Sequence, residues 1–247
     1  MFKKQKRTAS KGYTFPRLCD ALEETDGCAL CTVAQRESEH TLKMLFHEGI
    51  MESSLRKRLL DGSGFCNWHT WMSINDIPTA AAGTAIVYRE LLEAVITATA
   101  EAAKSLTPTQ RTLLSRRNRG KCRLAGAKRR CAVCESVHKT ENVYLNDLLE
   151  FFDDPQLQSR FARSVGLCLP HLQMAVDEFP NHSNLLRLLE VEREKFSALE
   201  GELTEFHRKR DYRFAHEPAG REYTSWRRAL ELFAGKRGVF PRQEARR

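Results

Sequence analysis

The sequence lacks any run of eighteen apolar residues, which excludes a helix long enough to cross a bilayer. Its basic start, Met1-Phe2-Lys3-Lys4-Gln5-Lys6-Arg7, is followed by no apolar stretch. It does not read as a secretory signal, and the expected compartment is the cytoplasm. No segment alternates apolar and polar residues as a half-buried strand would. A phosphate loop, Gly-x-Ser-x-Gly and His-Glu-x2-His are all missing; no catalytic residue is assigned, and a non-catalytic protein is expected. Apolar residues are not scarce: they make up 41% of the 247, too many for a disordered chain. The length suits one large domain or two small ones, each with a core.

Acid is missing from two stretches. Residues 1–17 hold six Lys or Arg, and residues 107–130 hold nine. Those fifteen positive charges exceed the net +8 of the chain, so the other 206 residues carry net −7. The expected body is mildly acidic, with basic solvated segments attached. These segments offer one route to nucleic acid, through Arg116, Arg117, Arg119, Lys121, Arg123, Lys128, Arg129 and Arg130. Binding of that kind would be steep in salt and poor in sequence specificity. No aromatic residue interleaves the basic run, as a stacking platform would require.

Cysteine is plentiful, with eight residues. In a reducing compartment they read as metal ligands rather than disulfides. Cys28-Ala-Leu-Cys31 is followed after 34 residues by Cys66-Asn-Trp-His69, and Cys131-Ala-Val-Cys134 after 33 by Cys168-Leu-Pro-His171. The correspondence continues between the ligands. Leu42, Leu45 and Phe46 align with Leu145, Leu148 and Leu149, and Leu55, Arg58 and Leu59 with Leu157, Arg160 and Phe161. Gly64 aligns with Gly166 and Met72 with Met174. One unit is present twice.

The expected class is all-α: two tandem helical repeats, each stapled by a Cys3His metal site, packed as one helical assembly. The expected segments are a basic arm (1–17), the first repeat (18–106), a basic linker (107–130), the second repeat (131–206) and a C-terminal docking segment and tail (207–247). Apolar stripes at helical spacing follow each Cys-x2-Cys, as in Tyr144, Leu145, Leu148, Leu149 and Phe152. Asp153-Asp154-Pro155 breaks the second of these helices and opens the next. Gly62 and Gly64 in the first copy, and Gly166 in the second, end the short helix before each Cys-x2-His. A long helix closes each copy, with stripes at Tyr88, Leu91, Leu92, Val95 and Ile96 and at Leu185, Leu189, Phe196, Leu199, Leu203 and Phe206.

The metal set is Cys28, Cys31, Cys66, His69, Cys131, Cys134, Cys168 and His171. Three thiolates and one imidazole close a tetrahedron, which favours two structural zinc ions. An iron–sulfur cluster is the alternative, and with it a redox sensor. Pairing within each repeat is expected because it closes the shorter loops; exchange of pairs between repeats is the other arrangement. Cys19 is expected in the core, and Cys122 falls in the basic linker.

The duplicated ligand pairs are accompanied by Gly-Phe-Cys66-Asn-Trp-His69, Gly-Leu-Cys168-Leu-Pro-His171-Leu, Asp211-Tyr212-Arg213-Phe214 and Ser225-Trp226-Arg227-Arg228-Ala229. In these the chain resembles an uncharacterised bacterial family of domains of unknown function, over about residues 14–235. Some members of that family are labelled ABC-transporter substrate-binding proteins. The chain has no lipoprotein cysteine and no two-lobed α/β pattern to go with that label. The resemblance implies a metal-bearing helical fold and carries no information on activity.

In the C-terminal segment, Tyr212, Arg213 and Arg227 are candidates for a small-ligand or anion site. The competing reading is a strap whose Tyr212, Phe214 and Trp226 pack on the helices while its arginines pair with acids. The expected function is that of a zinc-binding adaptor or regulator with an unidentified protein partner; nucleic-acid binding and redox sensing are the alternatives.

Overall fold

A computed structural model describes residues 11–47, 53–62, 64–77, 80–105, 131–214 and 216–240. Among these there are ten α-helices and no strand. The first five are α1 (Thr14–Glu24), α2 (Ala29–His47), α3 (Ser53–Asp61), α4 (Asn67–Asp76) and α5 (Ala80–Ser105). The second series is α6 (Ala132–Glu150), α7 (Pro155–Arg163), α8 (Leu169–Glu178) and α9 (Leu185–Arg208). Two 3-10 turns, Tyr212–Phe214 and Arg221–Thr224, lead to α10 (Ser225–Ala234). No helix among the described residues is long and apolar enough to cross a membrane.

Local chemistry sets the ends of these helices. Asp154 caps α7 by accepting from the backbone N–H groups of Gln156 (3.0 Å) and Leu157 (3.4 Å), and Pro155 fits the first turn, where no N–H is needed. Phe161 and Leu157 face inward, and the chain leaves the helix through Gly166 at φ +87°. Gly64 does the same after α3, at φ +86°.

The described chain divides into two compact units. The first holds residues 1–36 and 138–247, the second 37–137. The division falls inside α2 and α6, so each unit takes elements from both repeats. In the first unit, α1 packs on α7, and α10 packs on α8, α9 and the Arg221–Thr224 turn. Leu145, Leu148, Leu149 and Phe152 of the expected stripe are buried there, as is Cys19. In the second unit α5 packs on α3 and α4. Its expected stripe is only partly inside: Leu91 is buried, but Leu92 and Ile96 are exposed.

Candidate metal centres

Each of the four ligand pairs occupies the first turn of a helix. The carbonyl of Cys28 accepts from Thr32 N–H, that of Cys131 from Glu135, that of Cys66 from Thr70 and that of Cys168 from Leu172. The first residue of every pair is thus the N-cap, and the second lies three residues on, on the same face. The x2 spacing therefore aims both ligand atoms beyond the end of one helix. There the unpaired N–H groups and the helix dipole favour negative charge, which is where a thiolate is stabilised.

The pairs meet in two groups, and within each the four ligand atoms lie within 4.8 Å of one another. Cys28, Cys31, Cys168 and His171 form the first group, all buried in the first unit. His171 Nδ1 lies 3.5, 3.6 and 3.2 Å from the sulfurs of Cys28, Cys31 and Cys168, and the last two sulfurs are 3.6 Å apart. Cys66, His69, Cys131 and Cys134 form the second, in the second unit. His69 Nδ1 lies 3.2, 3.5 and 3.4 Å from Cys66, Cys131 and Cys134, and the Cys66 and Cys134 sulfurs are 3.7 Å apart. A tetrahedral ion with bonds of about 2.3 Å to sulfur and about 2.0–2.1 Å to nitrogen needs S···S of about 3.8 Å and S···N of about 3.5–3.6 Å. Both groups come close to those spacings and could hold one metal ion each.

The pairing corrects the sequence expectation. Each Cys-x2-Cys meets the Cys-x2-His of the other repeat, not its own. The reason lies in helix geometry. His69 Nε2–H donates to Ser38 Oγ and His171 Nε2–H to Glu141 Oε1, each at 3.1 Å. Ser38 and Glu141 both stand seven residues beyond the second cysteine of their own pair. At about 1.5 Å per residue, each histidine returns to its repeat roughly 10 Å along the helix from its own thiols. Within the second unit, Ser136 donates to Glu37 (2.8 Å) and Thr41 donates to Ser136 (3.3 Å), bringing the start of α6 beside α2 at that level.

Charge within each group is unevenly shared. Burial would raise the Cys28 thiol, but hydrogen bonds from Cys168, Cys31 and His171 hold it well below its ordinary value. The Cys168 thiol is pushed far up, chiefly by its hydrogen bonds with Cys28 and Cys31 and by burial. Likewise hydrogen bonds from Cys134 and Cys66 lower Cys131, and Cys134 is driven up. Burial disfavours a charged His69, yet the sulfurs of Cys131 and Cys66 raise its pKa to about 9. Without a metal, each group thus keeps protons that an incoming cation must displace.

The C-terminal segment reaches the first group. Lys236 N–H donates to Cys31 Sγ at 3.4 Å, and the Phe240 ring meets the His171 ring edge-on at 4.8 Å. The supporting roles of Ser38, Glu141, Lys236 and Phe240 were not singled out from the sequence. Only the equivalence of positions 38 and 141 in the repeats could have pointed to two of them. The strap itself differs from expectation. Its arginines do pair with acids: Arg208 with Glu205 and Glu217, Arg213 with Asp211, and Arg228 with Glu202. Tyr212, however, is 87% exposed and Trp226 45%. Charged contacts hold this segment instead, including buried Glu222, which accepts from Lys209 Nζ and Gly220 N–H, each at 2.8 Å.

Of the three anion candidates, Arg213 is engaged by Asp211, Arg227 lies over the Trp226 ring, and Tyr212 projects from its turn. Arg116, Arg117, Arg119, Lys121, Arg123, Lys128, Arg129 and Arg130 lie outside the described residues, as does Cys122. Residues 9–238 match a family whose description is "Family of unknown function (DUF6062)". No curated protein and no solved structure matches the chain.

Proposed function

We infer that this chain, which belongs to DUF6062, a family of unknown function, is a zinc protein acting as a non-catalytic adaptor or regulator. One observation carries the reading: eight ligands gather into two tetrads, each at the spacing of one tetrahedral ion. A multi-iron cluster would spread its ligands wider than 4.8 Å, because several atoms stand between them. Four protein ligands leave no coordination position for a substrate. Zn²⁺ with three thiolates carries −1, and two helix N-termini face that charge in each group. Zinc at such sites contributes on the order of 10 kcal/mol each to folding. The seven described cysteines are free of disulfides, which suits a reducing, cytoplasmic setting.

Metal analysis of the purified protein tests this. Two zinc per colourless chain are expected; iron with acid-labile sulfide would replace zinc by a cluster. After exchange for Co²⁺, added cyanide should leave the visible spectrum unchanged. A spectral change would reveal an open position and favour an enzyme.

A further inference from the structure

A cavity of about 550 Å³ opens in the first unit, between the turn after α7, the middle of α9 and α10. One side is apolar: Val165, Phe196, Leu199 and Leu232 line it, and all four are only half-buried. Apolar side chains left around a space of this size favour an apolar occupant over water. The remaining lining is rich in cations: Arg163, Lys195, Arg221, Arg228 and Lys236 stand against Asp26, Glu202 and Glu231. Glu202 is already shared by Arg221 and Arg228. The Arg228 Nε–H is buried without a hydrogen-bond partner among the described residues. Lys195 Nζ donates to the carbonyls of Ala162 (3.0 Å) and Ser164 (2.7 Å), which fixes its ammonium at the cavity wall. Burial pushes the Lys195 pKa down, Glu192 opposes it, and the nearby Arg221 pushes it further down.

We propose that this cavity is a binding site for an acyl-chain carboxylate, its alkyl chain along Val165, Phe196, Leu199 and Leu232 and its head at Lys195, Arg221 and Arg228. A modest excess of positive charge around the cavity suits one monoanionic group. The proposal does not depend on which metal the neighbouring thiolates hold.

Calorimetric titration of the full-length protein with decanoate tests it. Saturable binding at one per chain is expected, with decan-1-ol and decyltrimethylammonium at least tenfold weaker. Leu199→Trp fills the apolar side and should weaken decanoate at least tenfold with the helical circular dichroism intact. Arg221→Ala removes an exposed side chain and should weaken decanoate about tenfold while leaving decan-1-ol unchanged. No saturable binding of decanoate, equal binding of the alcohol, or full affinity in either folded variant would overturn the proposal.

Discussion

Ser38 and Glu141 occupy the same place in their repeats, yet they back their histidines differently. Glu141 gives His171 a buried carboxylate, which fixes the ring and raises its basicity; Ser38 gives His69 only a hydroxyl. The first group is buried throughout, whereas Cys66 and Cys134 in the second are partly open. Zinc should therefore leave in two phases when a chromogenic chelator is added, the second site first. Glu141→Ala should speed the slow phase roughly 10–100-fold, and Ser38→Ala should change the fast phase less. A single phase in the parent protein would contradict the asymmetry. Glu192 supplies a different test. Its carboxylate accepts from Leu167 N–H at 2.7 Å, its other oxygen is buried without a partner among the described residues, and burial raises its pKa from 4.5 to about 8. Between those values the folded state holds a proton that the unfolded chain has lost. Its contribution is complete below about pH 4.5 and is lost as pH rises toward 8, by up to ~1.4 kcal/mol per pH unit. Glu192→Gln keeps the acceptor without the charge. Urea unfolding of parent and variant should show the variant gaining relative stability from pH 5 to pH 8.5; a constant difference would mean the carboxyl does not titrate in this range.

Helix starts and glycine turns do most of the positioning at the scale of elements, and both were largely legible. Cys-x2-Cys and Cys-x2-His could be placed near helix starts, and Gly64 and Gly166 at the preceding helix ends, from spacing alone. The partners of those glycines could not be read. A side chain at Gly166 would run into the Glu192 carboxyl, 26 residues on, and one at Gly64 would press on Tyr88. Gly235 is the more telling case. With φ +72° and ψ −179° it holds a conformation that is essentially glycine's alone, and a Cβ there would collide with Phe240 and approach Cys31 Sγ to 3.5 Å. Gly235→Ala should cost about 1–3 kcal/mol and displace the segment carrying Lys236 and Phe240. The zinc phase assigned to the first site should then quicken while the other stays unchanged. Equal quickening of both phases would instead report a general loss of stability. Ring content does not bury the C-terminal strap: Tyr212 and Trp226 stay exposed, and ion pairs tie this segment to α9.

The pairing of the sites is a property of the whole chain, and spacing alone pointed the wrong way. A loop-closure argument favours joining Cys31 to Cys66 over joining it to Cys168, 137 residues away. The longer loop is about four times the shorter, which costs only ~1.2 kcal/mol. That is small beside the ~10 kcal/mol a structural zinc contributes. Which four ligands can meet is therefore decided by the two helical turns that separate each histidine from its own thiols. The consequence is that a metal ion in each group would hold the two repeats to each other: both groups bridge the sequence before residue 107 and the sequence after residue 130. A protease site inserted between those residues should give a nicked protein that migrates as one species while zinc-loaded. Its two pieces should come apart in chelator with mild urea, at a urea concentration that leaves the zinc-loaded pair intact. Cys28→Ser should lose one zinc and make the nicked pair easier to separate, since the second group still joins the pieces; Cys28→Ser with Cys131→Ser should lose both. Had each repeat stapled itself, nicking would leave pieces whose association is indifferent to zinc. Equal separation with and without the metal in gel filtration is the result that would sink the exchanged arrangement.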